Sequence, residues 1–138
     1  MPLRQNSSAE PTTNPALAKL TIKVVDLRSH KGQLIYGVFD SEKGFPSSSK
    51  LAKNWQVRAV DADTLEFTCE LPPGKYGASA LHDENNNNKM DTNLVGIPSE
   101  GYAVTNNPKP RFRAAKFSES IFELPPEGKT LTISMQYF

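Results

Sequence analysis

Apolar residues in this chain recur at every second position in short runs, and that rhythm admits little but β-strands. Leu20, Ile22 and Val24 alternate with Thr21, Lys23 and Val25, while Leu65, Phe67, Cys69 and Leu71 fall in one register. Leu131, Ile133, Met135 and Tyr137 repeat the pattern near the end. Successive side chains of a strand point to opposite faces, so each run has one face to bury. Strands are therefore expected over Lys19 to Leu27, Thr64 to Leu71 and Thr130 to Tyr137. Others are expected over Gln33 to Asp40, Gln56 to Val60, Tyr76 to His82 and Ser120 to Leu124. In the second strand Leu34, Tyr36 and Val38 share one face, and Ile35 and Phe39 the other.

Turn chemistry separates these runs. Ser29-His30-Lys31-Gly32 between the first two strands reads as the turn of a hairpin. Ser41 to Asn54, with Gly44-Phe45-Pro46-Ser47-Ser48-Ser49 inside it, has too few helix-compatible residues for more than a turn or two and reads as a long loop. Leu71-Pro72-Pro73-Gly74-Lys75-Tyr76 ends one strand with prolines, turns at Gly74 and starts the next strand at Tyr76. Pro125-Pro126-Glu127-Gly128 is a similar solution, without an internal repeat to go with it. Small residues Gly77, Ala78, Ser79 and Ala80 imply close packing along their strand, whose Tyr76, Ala78, Ala80 and His82 share a face. About seven short strands with no long amphipathic helix argue an all-β fold, an antiparallel β-sandwich of immunoglobulin-like kind with two long loops. A small barrel is the alternative.

The 138 residues fit one domain: a Pro-, Ser- and Asn-rich tail over 1–17, then a single sandwich over 18–138. The tail lacks the basic-then-apolar order of a signal peptide, so export would mean that such a peptide has been removed. Sixteen Lys and Arg face fifteen Asp and Glu, a net charge of +1, which gives no field to draw in nucleic acid or an anionic membrane. No run approaches the roughly 18 apolar residues of a membrane helix, so no membrane insertion is expected. The lone Cys69 excludes an internal disulfide and a Cys-pair metal site, and its register makes it a core residue rather than a nucleophile.

The strongest chemical signal is His82-Asp83-Glu84-Asn85-Asn86-Asn87-Asn88-Lys89-Met90-Asp91. Asp83, Asn85, Asn87 and Asp91, with the backbone carbonyl of Lys89, reproduce the spacing of ligands in a calcium loop, because alternate side chains of a curling backbone converge on one hard cation. Asn88 stands where the sharp turn normally takes Gly, and Leu94 where a bidentate Glu would be. A site with two charged side chains would be weak, roughly 10⁻⁴ to 10⁻³ M. The competing reading is a solvated loop held by Asx-turns that needs no ion. Zinc is disfavoured, since only His30 could join His82. No serine lies in a Gly-x-Ser-x-Gly context, and no carboxylate pair stands out among fifteen acids.

A second long segment, Gly96 to Phe117, follows directly, and long connections in small domains are often functional. Lys109, Arg111, Arg113 and Lys116 interleave there with Phe112 and Phe117, a pattern for an anion or single strand, although a solvated edge is the commoner outcome. Trp55, Tyr36 and Tyr102 would stack on sugar rings if exposed; core packing is the usual fate of such residues.

These motifs, taken together, resemble the bacterial family called domain of unknown function 2141. The residues that carry the resemblance are Gly32-Gln33, Phe39-Asp40, Gly44-Phe45-Pro46, Leu71-Pro72-Pro73-Gly74-Lys75-Tyr76, His82-Asp83-Glu84-Asn85, Lys89-Met90-Asp91-Thr92-Asn93, Gly96-Ile97-Pro98, Glu100-Gly101-Tyr102, Asn106-Asn107 and Phe117. The family tends to have Asn-Gly-Asn-Gly where this chain has Asn85-Asn86-Asn87-Asn88. The resemblance covers about Leu20 to Tyr137 and implies export to the periplasm or the exterior, with a sandwich like the transthyretin-type or carboxypeptidase-regulatory-type domains. It supplies no activity.

Three functions remain in view. The first is a non-enzymatic binding or accessory module, a monomer in which calcium at Asp83, Asn85, Asn87, Lys89 and Asp91 braces the following loop against a protein or small-molecule partner. The second is a binder of sugars or anionic metabolites through His82, Tyr102, Arg111 and Arg113. An enzyme comes last, because no nucleophile, acid and base pair or cofactor fingerprint emerges.

Overall fold

The computed structural model describes residues 16–46, 48–86, 101–108 and 115–137. In chain order these form β1 (Ala18–Val25), β2 (Gln33–Phe39), β3 (Asn54–Ala59), β4 (Leu65–Leu71), β5 (Gly74–Asp83), β6 (Gly101–Val104), a four-residue helix α1 (Phe117–Ser120), β7 (Phe122–Leu124) and β8 (Lys129–Ser134). Two sheets result. One has the order β4-β1-β8, the other β3-β2-β5-β6, with β7 paired to the start of β5. The expected all-β sandwich is the observed architecture, and its pairing is antiparallel except between β1 and β8.

The alternating residues do what their period demands. Leu20, Ile22 and Val24 of β1, Leu65 and Phe67 of β4 and Ile133 of β8 meet Leu34, Tyr36 and Val38 of β2 and Ala78 and Ala80 of β5 between the sheets. Burying each of the larger side chains contributes about 1.5 to 3 kcal/mol. Tyr36 stacks on Phe67 with ring centroids 4.6 Å apart. Its hydroxyl is buried beside the Cys69 thiol, with no other hydrogen-bond partner among the described residues, and burial pushes its pKa up. Cys69 is half-buried against this core, and burial likewise pushes its thiol up.

The two sheets are covered differently. In β1 every second residue is at least partly exposed, whereas β2 from Leu34 onward and β5 from Tyr76 onward are buried on both faces. Ile35, Leu81, Tyr102, Val104 and Ala115 form a second apolar cluster on the outer face of the larger sheet, with Phe45 and Trp55 packed against it. Phe45 stands edge-on to Phe39 and Phe117. The loop after β2 therefore serves as a lid on the sheet. Close approach on the same face explains Gly77, where an added Cβ would lie 2.9 Å from the Phe117 ring.

Several expectations need correction. β1 and β2 do not form a hairpin: they belong to different sheets, and the connection carries positive φ at Asp26 (64°) and Gly32 (69°), which turns the chain out of the ladder. Both Pro-Pro turns are crossings of the same kind, β4 to β5 and β7 to β8, since proline has no N–H to continue a ladder. The segment Gly96 to Phe117 contains β6, a signal only four residues long. The expected strand Ser120 to Leu124 begins later, at Phe122, because Glu119 Oε1 accepts from the Lys116 N–H at 2.8 Å and closes the turn of α1 instead. The last strand stops at Ser134, and Gln136 then exchanges two backbone hydrogen bonds with Tyr102 of the other sheet, at 2.9 and 3.0 Å.

Side chains stitch the sheets where backbones do not. Arg58 and Gln56 of β3, on the inward face beside Leu34 and Tyr36, donate to the carbonyls of Glu66 (2.6 Å) and Thr68 (3.1 Å) on β4. On the opposite edge the Asn107 amide pairs with the carbonyl of Thr132 (3.3 Å) and the N–H of Ser134 (2.9 Å), standing in for a neighbouring strand. Edges occupied in this way are poor templates for a further strand.

Candidate functional site

The end of the sandwich where β5 leaves the sheet is where the chemistry gathers. His82 is the last inward-facing residue of β5 and is fully buried. Its Nε2 lies 2.8 Å from the carbonyl of Lys31, which can only accept, so that nitrogen carries a proton. In the neutral ring Nδ1 is then the acceptor of the Tyr137 hydroxyl, 2.8 Å away. The same hydroxyl accepts the Arg28 N–H at 3.0 Å. One histidine thus joins the β1–β2 connection, the end of β5 and the C-terminal residues.

Arg28 extends the assembly outward. Its guanidinium lies over the Tyr137 ring, 4.4 Å from the centroid, and donates to Glu84 through Nη2 (2.5 Å) and Nε (3.3 Å). Ser29 Oγ donates to Glu84 Oε2, the oxygen that Arg28 Nε also reaches, at 2.7 Å. The hydrogen bond from Arg28, above all, lowers the Glu84 pKa to about 2. Gly32 brings the two loops into contact: with φ at +69°, an added Cβ would lie 2.6 Å from Glu84 Cα and run into the Asp83 carbonyl. Arg28, Ser29, Lys31, Glu84 and Asn85 line an open depression of ≈ 550 Å³.

The residues singled out in the sequence are distributed as follows. Asp83 is buried, and its Oδ2 accepts from Gln33 Nε2 at 2.9 Å. Its carbonyl accepts the Asn86 N–H at 3.3 Å, and Asn86 has a positive φ of 57°, an Asn-tolerated turn conformation. Asn85 is exposed on the wall of the depression. Asn87, Lys89 and Asp91 lie outside the described residues, as do Arg111 and Arg113. Among the described residues no three His, Cys, Asp or Glu are grouped to hold a metal ion. His30 pairs with Asp63 at 2.7 Å.

His82 and Tyr102 do not line one pocket. His82 pairs with Gly101 and Leu81 with Tyr102, so neighbouring registers send the two side chains to opposite faces of the sheet. Tyr102 is buried in the outer cluster, where its hydroxyl accepts the Ala115 N–H at 2.9 Å. Tyr36 is buried and Trp55 partly so, both as packing residues. The sequence reading missed Arg28, Ser29, Glu84 and Tyr137 as parts of one assembly. The signal for them was slight: an acid directly after Asp83 and a cation beside the turn at Ser29.

A family model described as an uncharacterized protein conserved in bacteria, DUF2141, matches residues 22–133. The chain belongs to this family. Neither a curated protein nor a solved structure matches it. The DUF2141 match runs from β1 into β8 and so takes in the whole segment between β5 and β6. Among the described residues of this DUF2141 protein, no helix is long and apolar enough to cross a membrane.

Proposed function

We propose that this DUF2141 chain is a non-enzymatic, exported binding or accessory module whose recognition element is the loop leaving β5 at Asp83. The observation that supports this reading is the engagement of His82 at both ring nitrogens. A buried histidine used in this way is a brace rather than a base, and it anchors the root of the loop to two other chain segments. The spacing of Asp83, Asn85, Asn87, the Lys89 carbonyl and Asp91 favours a calcium-type ion within the loop, with the buried, oriented Asp83 at its start. A transthyretin-type kinship of the sandwich belongs to the same reading.

A thermal melt in chelator and then across micromolar to millimolar calcium, with magnesium as control, tests it. A calcium-selective rise in Tm, lost in the Asp83→Asn/Asp91→Asn double variant, is expected. No rise in the unmodified chain, or an unchanged rise in the double variant, would remove the ion from the account. A second reading, a binder of small polar ligands, is favoured by the depression beside the loop.

A further inference from the structure

We infer that the free edge of β3 pairs with the same edge of a second copy of this chain, joining the two larger sheets across a twofold axis. This depends neither on the ion nor on the depression. An open strand edge is a template for another strand. Among the described residues the other edges are occupied or short: Arg58 and Gln56 cover β4, Asn107 covers β8, Gln136 covers β6, and β7 is three residues long. β3 is the outermost strand of its sheet. The Val60 N–H donates to the Gly32 carbonyl at 3.2 Å, and hydrogen-bonded pairs alternate along an antiparallel ladder. Gln56 and Arg58 therefore bond to β2, while Trp55, Val57 and Ala59 turn their N–H and C=O groups outward. No hydrogen bond reaches these outward groups among the described residues, and Val57 is 45% exposed. The stacking of Tyr36 on Phe67 sets β4 across from β2, so β3 overhangs the smaller sheet and its edge is open to an incoming strand.

The edge is complementary to itself when Val57 lies against the partner's Val57. That twofold sets Trp55 beside the partner's Ala59 and Ala59 beside the partner's Trp55. All of these are outward residues, so each pair exchanges two backbone hydrogen bonds. Size agrees with this register. The Trp55 ring already lies over Gly37 of β2, where an added Cβ would be 3.0 Å from it, and the partner's Ala59 leaves room on its other flank. Charge agrees as well, since Arg58 stands opposite the partner's Gln56. A shift of two residues one way opposes Arg58 to the partner's Arg58, like charges face to face. A shift the other way opposes Ala59 to the partner's Lys53, which precedes the strand. Nothing in β3 guards the edge: it has no proline, and its one charged side chain is spent on the Glu66 carbonyl and the Phe67 ring, 5.0 Å from the centroid. An interface of one strand is small, which sets a Kd on the order of 10⁻⁴ M.

Sedimentation equilibrium of the full chain from about 10 μM to about 1 mM tests the pairing. A monomer–dimer equilibrium is expected, with the amides of Trp55, Val57 and Ala59 exchanging with solvent more slowly as the dimer fills. Val57→Pro removes an outward N–H and no bond to β2, so it should keep Tm and weaken the dimer at least about tenfold. Val57→Lys and Val57→Glu give a second measurement that leaves every backbone donor in place. Each alone should be monomeric, because like charges meet on the twofold axis, and an equal mixture of the two should restore a dimer. A single monomeric species at about 1 mM would overturn the inference and leave the edge to an extended segment of another protein. A dimer unchanged by all three substitutions would overturn it as well, placing the contact elsewhere on the chain. So would a Lys and Glu mixture that stays monomeric, since it would take Val57 off the axis.

Discussion

The two ends of β5 are held in opposite ways. At its start, Tyr76 folds back so that its hydroxyl donates to the Pro72 carbonyl at 2.6 Å, a closure spanning four residues. At its end, His82 reaches Lys31 and Tyr137, 51 and 55 residues away in sequence. The first end is closed by a side-chain bond within one turn, while its backbone pairs with β7. The second exists only when three distant segments have come together, and it is the end that carries exposed polar side chains around a depression. Side chains drawn together from afar at the end of β5 suit a recognition surface; a corner whose side-chain closure is local suits a crossing between sheets.

Glycine substitution is the severest way to break this contrast. Gly32→Ala forces a side chain into the left-handed region and against the Asp83 backbone, and should cost about 2 to 4 kcal/mol. Gly74→Ala should lie within about 0.5 kcal/mol of the parent, because Gly74 is extended and its added Cβ would find its nearest neighbour at 3.8 Å. Urea denaturation of the two variants measures both; equal losses would erase the distinction.

Removing one hydroxyl at each end sharpens the comparison. Tyr137→Phe strands the buried Nδ1 of His82 and the Arg28 N–H, and should cost about 1 to 3 kcal/mol. Tyr76→Phe loses one hydrogen bond to a carbonyl near the surface and should cost about 1 kcal/mol. The same denaturation experiment, with the His82 ring signals followed by NMR, should show those signals moving only in Tyr137→Phe.

A further effect is electrostatic. Glu84 has a folded-state pKa depressed to about 2, so the stability it contributes is fully present above the unfolded pKa near 4.5 and is lost as pH falls through that window. Arg28 is 47% exposed, and solvent screening reduces the contribution to about 1 to 2 kcal/mol. Glu84→Gln should be less stable at neutral pH and should flatten the acid limb between about pH 4.5 and 2. An acid limb unchanged in that variant would place the ion pair outside the folding energetics.

The same two ends show what a sequence gives away. Pro72-Pro73-Gly74 and Tyr76 act on one another within five residues, so the corner was legible, as was the inward set Tyr76, Ala78, Ala80 and His82. Alternation states which residues face inward but not which strand lies alongside, and that is why β1 and β2 were paired in expectation and belong to separate sheets in fact. Gly74 itself lies extended, so the turn depends on the prolines and not on glycine freedom. At the other end, Asp83 was conspicuous because its loop is locally patterned. Arg28 and Glu84 were not, since each is an ordinary surface charge until the fold sets them 2.5 Å apart.

The account stands on the bracing role of His82, and the ring nitrogens can be observed directly. Side-chain ¹⁵N NMR of the full chain near neutral pH should show His82 with its proton on Nε2, slow to exchange, and Nδ1 unprotonated as the acceptor of Tyr137. In Tyr137→Phe the Nδ1 signal should shift while Nε2 stays on the Lys31 carbonyl. A proton on Nδ1, or rapid exchange at Nε2, would contradict the bracing role and, with it, the anchored loop root on which the proposed function depends.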